Sequence, residues 1–322
     1  MNTKSKLVYV ILIVLIATFS FGCDLTDVEQ SPSDNATDNT TSQAISLDPE
    51  QETTRAAAQD PNDITDGEVT VHVMDVGEGL SVLIDNKDQE FLIDGGYAKY
   101  GKSISEYIGD YVDGPIEYVV ATHSHADHVG GLAQIYKDYD ALHTIYGDRG
   151  TSNQFKAYEN GAKNEPDASY EEDENETLAL GEGVNVKIID TVDGDKNTNN
   201  NSVVMLFDIL GEKVLVTGDA EDKVEKLFAD KIGEVDIYVV AHHGSETSSS
   251  QILLDKIKPT YGLISSAGPD YSYHNPDPAV IKRLDNMDTI MYATYISGTI
   301  VVTIKGKNLD FSPPDSEILT AN

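Results

Sequence analysis

Apolar positions along the chain fall into three regimes. Leu7 to Ala17 is an unbroken apolar run behind Lys4 and Lys6. Asp24 to Glu68 is rich in Asp, Thr, Ser, Asn and Gln and shows no sustained apolar period, so it predicts a disordered tether. From Val69 onward, short apolar segments recur between turn residues. Val69–Asp75 (VTVHVMD), Leu80–Asp85 and Phe91–Asp94 predict strands, with Asn86-Lys87-Asp88 turning the chain between the last two. Ile104, Ile108 and Val112 recur at helical spacing and predict a helix over Ser103–Val112. Ile116–Ala121 (IEYVVA) predicts a buried strand, Val129–Asp138 a helix and Leu142–Tyr146 a strand. The polar, acidic stretch Thr151–Glu176 predicts a variable insertion.

A second set follows. Val184–Asp190, Ser202–Asp208 and Lys213–Thr217 predict strands, and Glu221–Asp230 a helix. Val235–Ala241 and Tyr261–Ser265 predict strands flanking a helix over Ser249–Ile257. Ala279–Leu284 reads as helix, Ile290–Ala293 and Gly298–Lys305 as strands, and Ser312–Asn322, with Pro313-Pro314, as a flexible tail. Strand pairs followed by strand and helix units, twice over, predict an α/β fold. Its expected form is an αββα sandwich of two mixed sheets flanked by helices. The expected layout is a signal peptide (1–22), a lipidated Cys with an acidic tether (23–68), the folded domain (69–311) and the tail (312–322).

Composition sharpens this. The 322 residues carry 22 Lys+Arg against 56 Asp+Glu, a formal net charge of −34. The tether accounts for −11 and the chain from Val69 onward for −25. That balance argues against gripping nucleic acid through a broad basic surface, and against adsorption to anionic lipid. A hydrophobic content of 39% excludes a wholly disordered chain.

The apolar run at the N-terminus is short for a membrane span, which needs about 20 residues. With its two preceding Lys it has the layout of a secretory signal. Cys23 is the single cysteine of the chain, so it has no internal disulfide partner. Gly22-Cys23 after the run resembles the lipobox of lipoproteins, with Ser20 standing where that pattern has Leu, Val or Ile. An uncleaved signal-anchor, or cleavage elsewhere with an incidental Cys, are the alternatives. Each places the rest of the chain outside the cytoplasm.

Five of the eight His fall in two clusters. The first, HSHADHVGG, holds His123, His125, Asp127 and His128 directly after the strand IEYVVA. Alternation puts His123 and His125 on one side of the extended chain. Imidazole nitrogens with a carboxylate suit Zn²⁺, Mn²⁺ or Fe. The second, His242-His243-Gly244-Ser245, also ends an apolar strand. Between them, Thr217-Gly218-Asp219 ends another, making Asp219 a candidate bridge between two cations.

HSHADHVGG, TGD and HHGS, in this order, resemble the metallo-β-lactamase fold superfamily. The closest branch is the competence-type (ComEC-like) metallohydrolase domain. MDVGEGLSVLID, FLIDGG, NTNNNSVVMLF, YHNPDPAVIKRL and SGTIVV extend the resemblance over Val69 to Ile304. It implies two divalent metal ions, Zn or Mn. His123 and His125 would hold the first; Asp127, His128 and His242 the second; Asp219 would bridge them. His243 could replace His242, since one sequence does not orient adjacent side chains. Asp127 and Asp219 are the implied catalytic carboxylates. Asp94 would steady the ligand loop by hydrogen bonding, and Gly77 and Gly79 would let backbone approach closely. Members commonly have another His on the first metal; here the interval holds His143, a possible ligand. His274-Asn275-Pro276 stands where the branch often has Gly-His-Pro, so His274, with Ser245, is a candidate substrate contact. His72 reads as structural.

The implied reaction is hydrolysis of a phosphodiester, possibly DNA, by a metal-bridging hydroxide. The single Cys lies at the membrane end, which excludes a Cys nucleophile. The alternatives are hydrolysis of another ester (a lactone, a β-lactam or a phosphocholine-type envelope ester) and a non-catalytic binding module. No protein partner is implied.

Overall fold

A computed structural model describes residues 67–313 apart from 88, 167, 190, 191 and 193. The expected signal, Cys23, almost all of the tether and residues 314–322 of the tail lie outside the described residues.

Strands β1 (Glu68–Val73), β2 (Val82–Asp85) and β3 (Glu90–Ile93) form an antiparallel meander. The chain then continues through α1 (Gly101–Ile108), β4 (Ile116–Ala121), α2 (Ala126–Val129), α3 (Leu132–Asp138), β5 (Ala141–Tyr146), α4 (Asn153–Lys163) and β6 (Ser169–Glu172). Strands β3 to β6 pair in parallel. A second sheet begins with the antiparallel β7 (Glu176–Ala179), β8 (Val184–Ile189), β9 (Val204–Ile209) and β10 (Glu212–Val216). After α5 (Asp222–Ile232) it adds β11 (Ile237–Val239), α6 (Gln251–Ile257), β12 (Tyr261–Ile264), α7 (Pro278–Asp285) and β13 (Ile290–Ala293), with β10 to β13 in parallel. After α8 (Thr294–Ser297), β14 (Ile300–Lys305) and β15 (Asn308–Ser312) return to the first sheet beside β1. The spatial orders are β15-β14-β1-β2-β3-β4-β5-β6 and β13-β12-β11-β10-β9-β8-β7.

The core has three layers. Val71, Phe91, Val120, Phe207, Val214 and Val239 pack between the sheets. Ile104, Val119, Leu132 and Phe155 fill the space between the first sheet and α1, α3 and α4. Leu215, Phe228, Leu253 and Leu284 do the same between the second sheet and α5, α6 and α7. The central strands are therefore covered on both faces, which is why IEYVVA and its counterparts are continuous apolar runs rather than alternating ones. This is the expected αββα sandwich.

Three local expectations need correction. Thr151–Glu176, read only as a polar variable insertion with no elements assigned, holds α4 and β6 and reaches β7. Ser152 caps α4 by accepting from Phe155 N at 3.0 Å, and Phe155, Tyr158 and Ala162 are buried. The helix starting at Val129 is broken in two at Gly130-Gly131, because Gly131 lies so close to Gly95 that a Cβ would stand 2.0 Å from the Gly95 carbonyl oxygen. The expected tail begins inside β15, whose Phe311 stacks on Tyr292 at 4.8 Å.

The layout gathers chemistry at strand ends. Asp94 follows β3, His123 to His128 follow β4, Asp219 follows β10, and His242-His243 follow β11.

Candidate metal centre

Asp94 is the anchor. It is fully buried with a left-handed backbone (φ 57°) that turns the chain sharply after β3. Its Oδ1 accepts from Thr122 N at 2.8 Å, and its Oδ2 from Thr122 Oγ1 and His128 Nδ1, both at 2.7 Å. The start of the β4–α2 loop is thereby tied to the end of β3. A carboxylate only accepts, so His128 Nδ1 carries the hydrogen and Nε2 points inward.

The same logic fixes the other rings. The Thr122 hydroxyl has donated its hydrogen to Asp94, so it accepts from His123 Nδ1 at 3.2 Å and leaves His123 Nε2 inward. His125 Nε2 pairs with Thr198 Oγ1 at 2.8 Å, while its Nδ1 lies 3.0 Å from His123 Nε2. His243 Nδ1 donates to the Ser265 carbonyl at 3.1 Å. His242 Nδ1 pairs with Thr247 Oγ1 at 3.1 Å, and its Nε2 accepts from Asn199 Nδ2 at 3.4 Å. His128 and His243 are each held by Nδ1 and leave Nε2 unpartnered toward the centre, the arrangement that outer partners impose on metal-binding imidazoles.

Asp219 occupies that centre. Its Oδ2 faces His123 Nε2 and His242 Nε2, each at 3.7 Å. Its Oδ1 faces His128 Nε2 at 3.2 Å and His243 Nε2 at 3.8 Å. Asp127 Oδ2 adds to the second group, 3.6 Å from His243 Nε2. The adjacent His242 and His243 reach opposite oxygens because both take left-handed backbone angles (φ 53° and 56°).

The donor set fits metal ions. His128 Nε2, His243 Nε2 and Asp219 Oδ1 are buried and make no hydrogen bond, a costly state unless another group satisfies them. Two groups, His123–His128–Asp219 and Asp127–His128–His243, each bring their ligand atoms within 4.8 Å of one another.

Electrostatics agree. Burial, reinforced by His128, pushes His123 well below the usual imidazole range. Burial also disfavours charge on His128, but the Asp219 and Asp94 carboxylates outweigh it and hold His128 well above that range. His243 is raised against burial by Asp219 and Asp127. Asp219 stays well below the carboxylate range despite burial, because His128, His242 and His243 surround it. Asp127 is depressed against burial by the neighbouring His243 ring and the charge of His128. These opposed shifts reflect carboxylates and imidazoles packed together in a buried site, where a divalent cation would compete with protons for the same ring nitrogens.

The centre opens into a cavity of about 330 Å³ whose wall includes Asp127, Asp219, His242 and His243 together with Glu78, Tyr97, Asn199, Tyr273 and Asn275. The last five are what residue-type reasoning missed. Glu78 sits inside the MDVGEGL stretch, and its carboxylate accepts from Asn275 Nδ2 at 2.9 Å and Ala267 N at 3.2 Å. Asn199 belongs to the NTNNNS stretch; the two tyrosines carried no spacing signal.

Several expected residues sit elsewhere. His243, rather than His242, joins Asp127 and His128, while His242 stands on the Asp219 oxygen that also faces His123. His143 is no part of the centre: its exposed ring stacks on Tyr118 and bonds Ser169 Oγ at 2.9 Å, on the β5–β6 pair. His274 turns its Nδ1 to the Pro269 carbonyl at 2.8 Å, and Ser245 Oγ bonds Thr247 Oγ1 at 3.2 Å; neither lines the cavity. His72 is structural, held between Thr70 Oγ1 and the Tyr107 hydroxyl.

The sequence profile of the Metallo-beta-lactamase superfamily matches residues 74–268. Recombination protein 2 of Haemophilus influenzae is 31% identical over 237 residues, covering 72% of this chain and 28% of that protein. Competence protein ComA of Neisseria gonorrhoeae is 28% identical over 246 residues, covering 74% of this chain and 33% of that protein. The chain thus spans a minor part of the length of either relative. Among solved structures, the metallo-beta-lactamase fold protein YhfI from Bacillus subtilis covers 74% of this chain and 100% of its own, at 13% identity and a TM-score of 0.48.

Proposed function

The chain belongs to the metallo-beta-lactamase superfamily, in its competence-type branch, and from that premise we propose that it is a dinuclear hydrolase of phosphodiester bonds. The observation that carries this reading is the Asp219 carboxylate, whose two oxygens face separate sets of imidazole nitrogens. On one side stand His123 and His242, with His125 Nδ1 3.0 Å from His123 Nε2; on the other stand His128 and His243, with Asp127 Oδ2 3.6 Å from His243 Nε2. Each set with its Asp219 oxygen makes a four-donor cradle suited to Zn²⁺ or Mn²⁺. Two such cations would supply a Lewis-acid pair that clamps a phosphoryl oxygen and activates water at neutral pH.

The chain's own residues do the rest. Asp94 and Thr122 fix the rings of His128 and His123, so the donors are preorganised. The cavity admits the ester beside Asp127, which is partly exposed. A Ser or Cys nucleophile has no place in this scheme.

DNA is the polymer we favour, because the relatives are named for recombination and competence; a part in DNA uptake extends that reading. We place the enzyme outside the cytoplasm, held to the membrane by lipid on Cys23. Among the described residues, no helix is long and apolar enough to cross a membrane. The test is a substrate panel: bis-p-nitrophenyl phosphate, single-stranded and duplex DNA, nitrocefin and a lactone, each with Mn²⁺ or Zn²⁺. Phosphodiester turnover is expected. Its absence with every metal, or turnover of nitrocefin or the lactone alone, defeats the proposal.

A further inference from the structure

The rim of the cavity carries an aromatic feature that the metal chemistry does not use. Tyr273 and Tyr97 line the cavity, and Tyr271 lies beside Tyr273 with ring centroids 6.4 Å apart and planes at 44°. Tyr271 is 38% exposed and Tyr273 63% exposed, unusual for large rings beside a catalytic cleft. Neither ring is on a loose loop. Gly268 N donates to Ser266 Oγ, Tyr271 N to the Gly268 carbonyl, and His274 N to the Tyr271 carbonyl. His274 Nδ1 closes on the Pro269 carbonyl, and Asn275 ties the loop's far end to the buried Glu78. The loop backbone that carries both rings is therefore held in place, and the rings themselves face solvent. Lys99 stands by Tyr97, another residue of the cavity wall, its Nζ 5.9 Å from the Tyr97 ring centroid and 4.7 Å from that of Tyr100.

Resting on the phosphodiesterase reading, we infer that Tyr271 and Tyr273 form a stacking platform that takes unpaired nucleobases next to the scissile phosphate. The domain from Val69 onward carries −25, so a long polyanion gains little from its general field. Affinity for a nucleic acid must then come from contacts that do not depend on phosphate charge. Base-on-aromatic stacking is such a contact, and it tolerates any sequence because every base has a π-face. In a duplex those faces are already covered by neighbouring pairs, so the platform selects single strands and frayed ends.

Binding tests the platform separately from turnover. Hydrolysis-resistant phosphorothioate oligonucleotides, fluorescently labelled, are titrated with the Mn²⁺-loaded full chain and followed by anisotropy. Three probes are compared: a base-bearing single strand, an abasic strand of equal length, and a blunt duplex. The base-bearing strand is expected to bind at least about 10-fold more tightly than the other two. Tyr271→Ala with Tyr273→Ala should cost it roughly 10- to 100-fold, down to the abasic level, whereas Tyr273→Trp should keep or improve affinity. Both rings are exposed, so neither change threatens folding. Equal binding of the abasic strand, unchanged affinity in the double variant, or no binding of the base-bearing strand would each overturn the platform. Turnover of bis-p-nitrophenyl phosphate then decides the other question: its presence leaves the phosphodiesterase standing without a platform, and its absence removes both.

Discussion

His242 and His243 hold consecutive left-handed backbone angles, each costing about 1–3 kcal/mol. The reward is that neighbours in sequence face opposite oxygens of Asp219. Apolar patterning and residue type made the ligand clusters legible, whereas Asp94 came only through the resemblance carried by FLIDGG. Which of two adjacent rings serves which group was not legible, since it depends on two φ angles that leave no trace in residue type. Single substitutions separate the roles. Wild-type chain should carry about two cations, and His242→Ala or His243→Ala about one, while Asp219→Ala should retain neither firmly; elemental analysis after dialysis reads this. Asp94→Asn, which weakens the grip on His128, should lower metal affinity about 10- to 100-fold in a chelator competition. His72 offers a different test. Burial lowers its pKa to about 3 from an unfolded value near 6.5. The unfolded chain therefore takes the proton first as pH falls, and stability is lost progressively from pH 6.5 towards 3. In denaturant titrations at stepped pH, wild type should lose stability relative to His72→Gln, the difference approaching about 1.4 kcal/mol per pH unit. A pH-independent difference would contradict a buried neutral ring.

At the scale of elements, the centre is held by loops that approach too closely for side chains. Gly79 has φ 144°, and a Cβ there would stand 2.7 Å from the Asp127 carbonyl oxygen, which itself accepts from Leu80 N. Gly79→Ala should therefore push the β4–α2 loop away. We expect a loss of about 1–3 kcal/mol in stability, with weakened metal occupancy on the Asp127 side. The strands were readable because burial on both faces made them continuous apolar runs. Helix α4 was not: Phe155, Tyr158 and Ala162 are spread among polar neighbours over eleven residues, and its two glycine- or lysine-flanked turns look solvated in sequence. What makes it an element is the groove it fills against α3 and Tyr170. Tyr158 is fully buried, so Tyr158→Ala should cost about 3–5 kcal/mol. A loss below about 1 kcal/mol, read by thermal or urea unfolding, would return the stretch to the status of an insertion.

Across the whole molecule, charge decides how a nucleic acid is met. A basic nuclease gains affinity by releasing counterions from its substrate and loses it steeply as salt is added. Here the domain and a nucleic-acid substrate would share a sign, with −25 from Val69 onward. Two divalent cations, if bound as proposed, would reverse the field only at the centre; a strand would still have to cross the outer repulsion to reach them. Screening shortens that repulsion, the Debye length falling from about 10 Å at 0.1 M to about 3 Å at 1 M. Stacking on the tyrosine rim, which does not involve charge, should survive the same change. The rate on single-stranded DNA at limiting substrate should therefore rise with monovalent salt at fixed Mn²⁺ and then level off. Bis-p-nitrophenyl phosphate, small and singly charged, should respond little, which controls for salt stripping the metal. A rate on DNA that falls steadily with salt, while the small ester holds constant, would mean that phosphate contacts dominate capture after all.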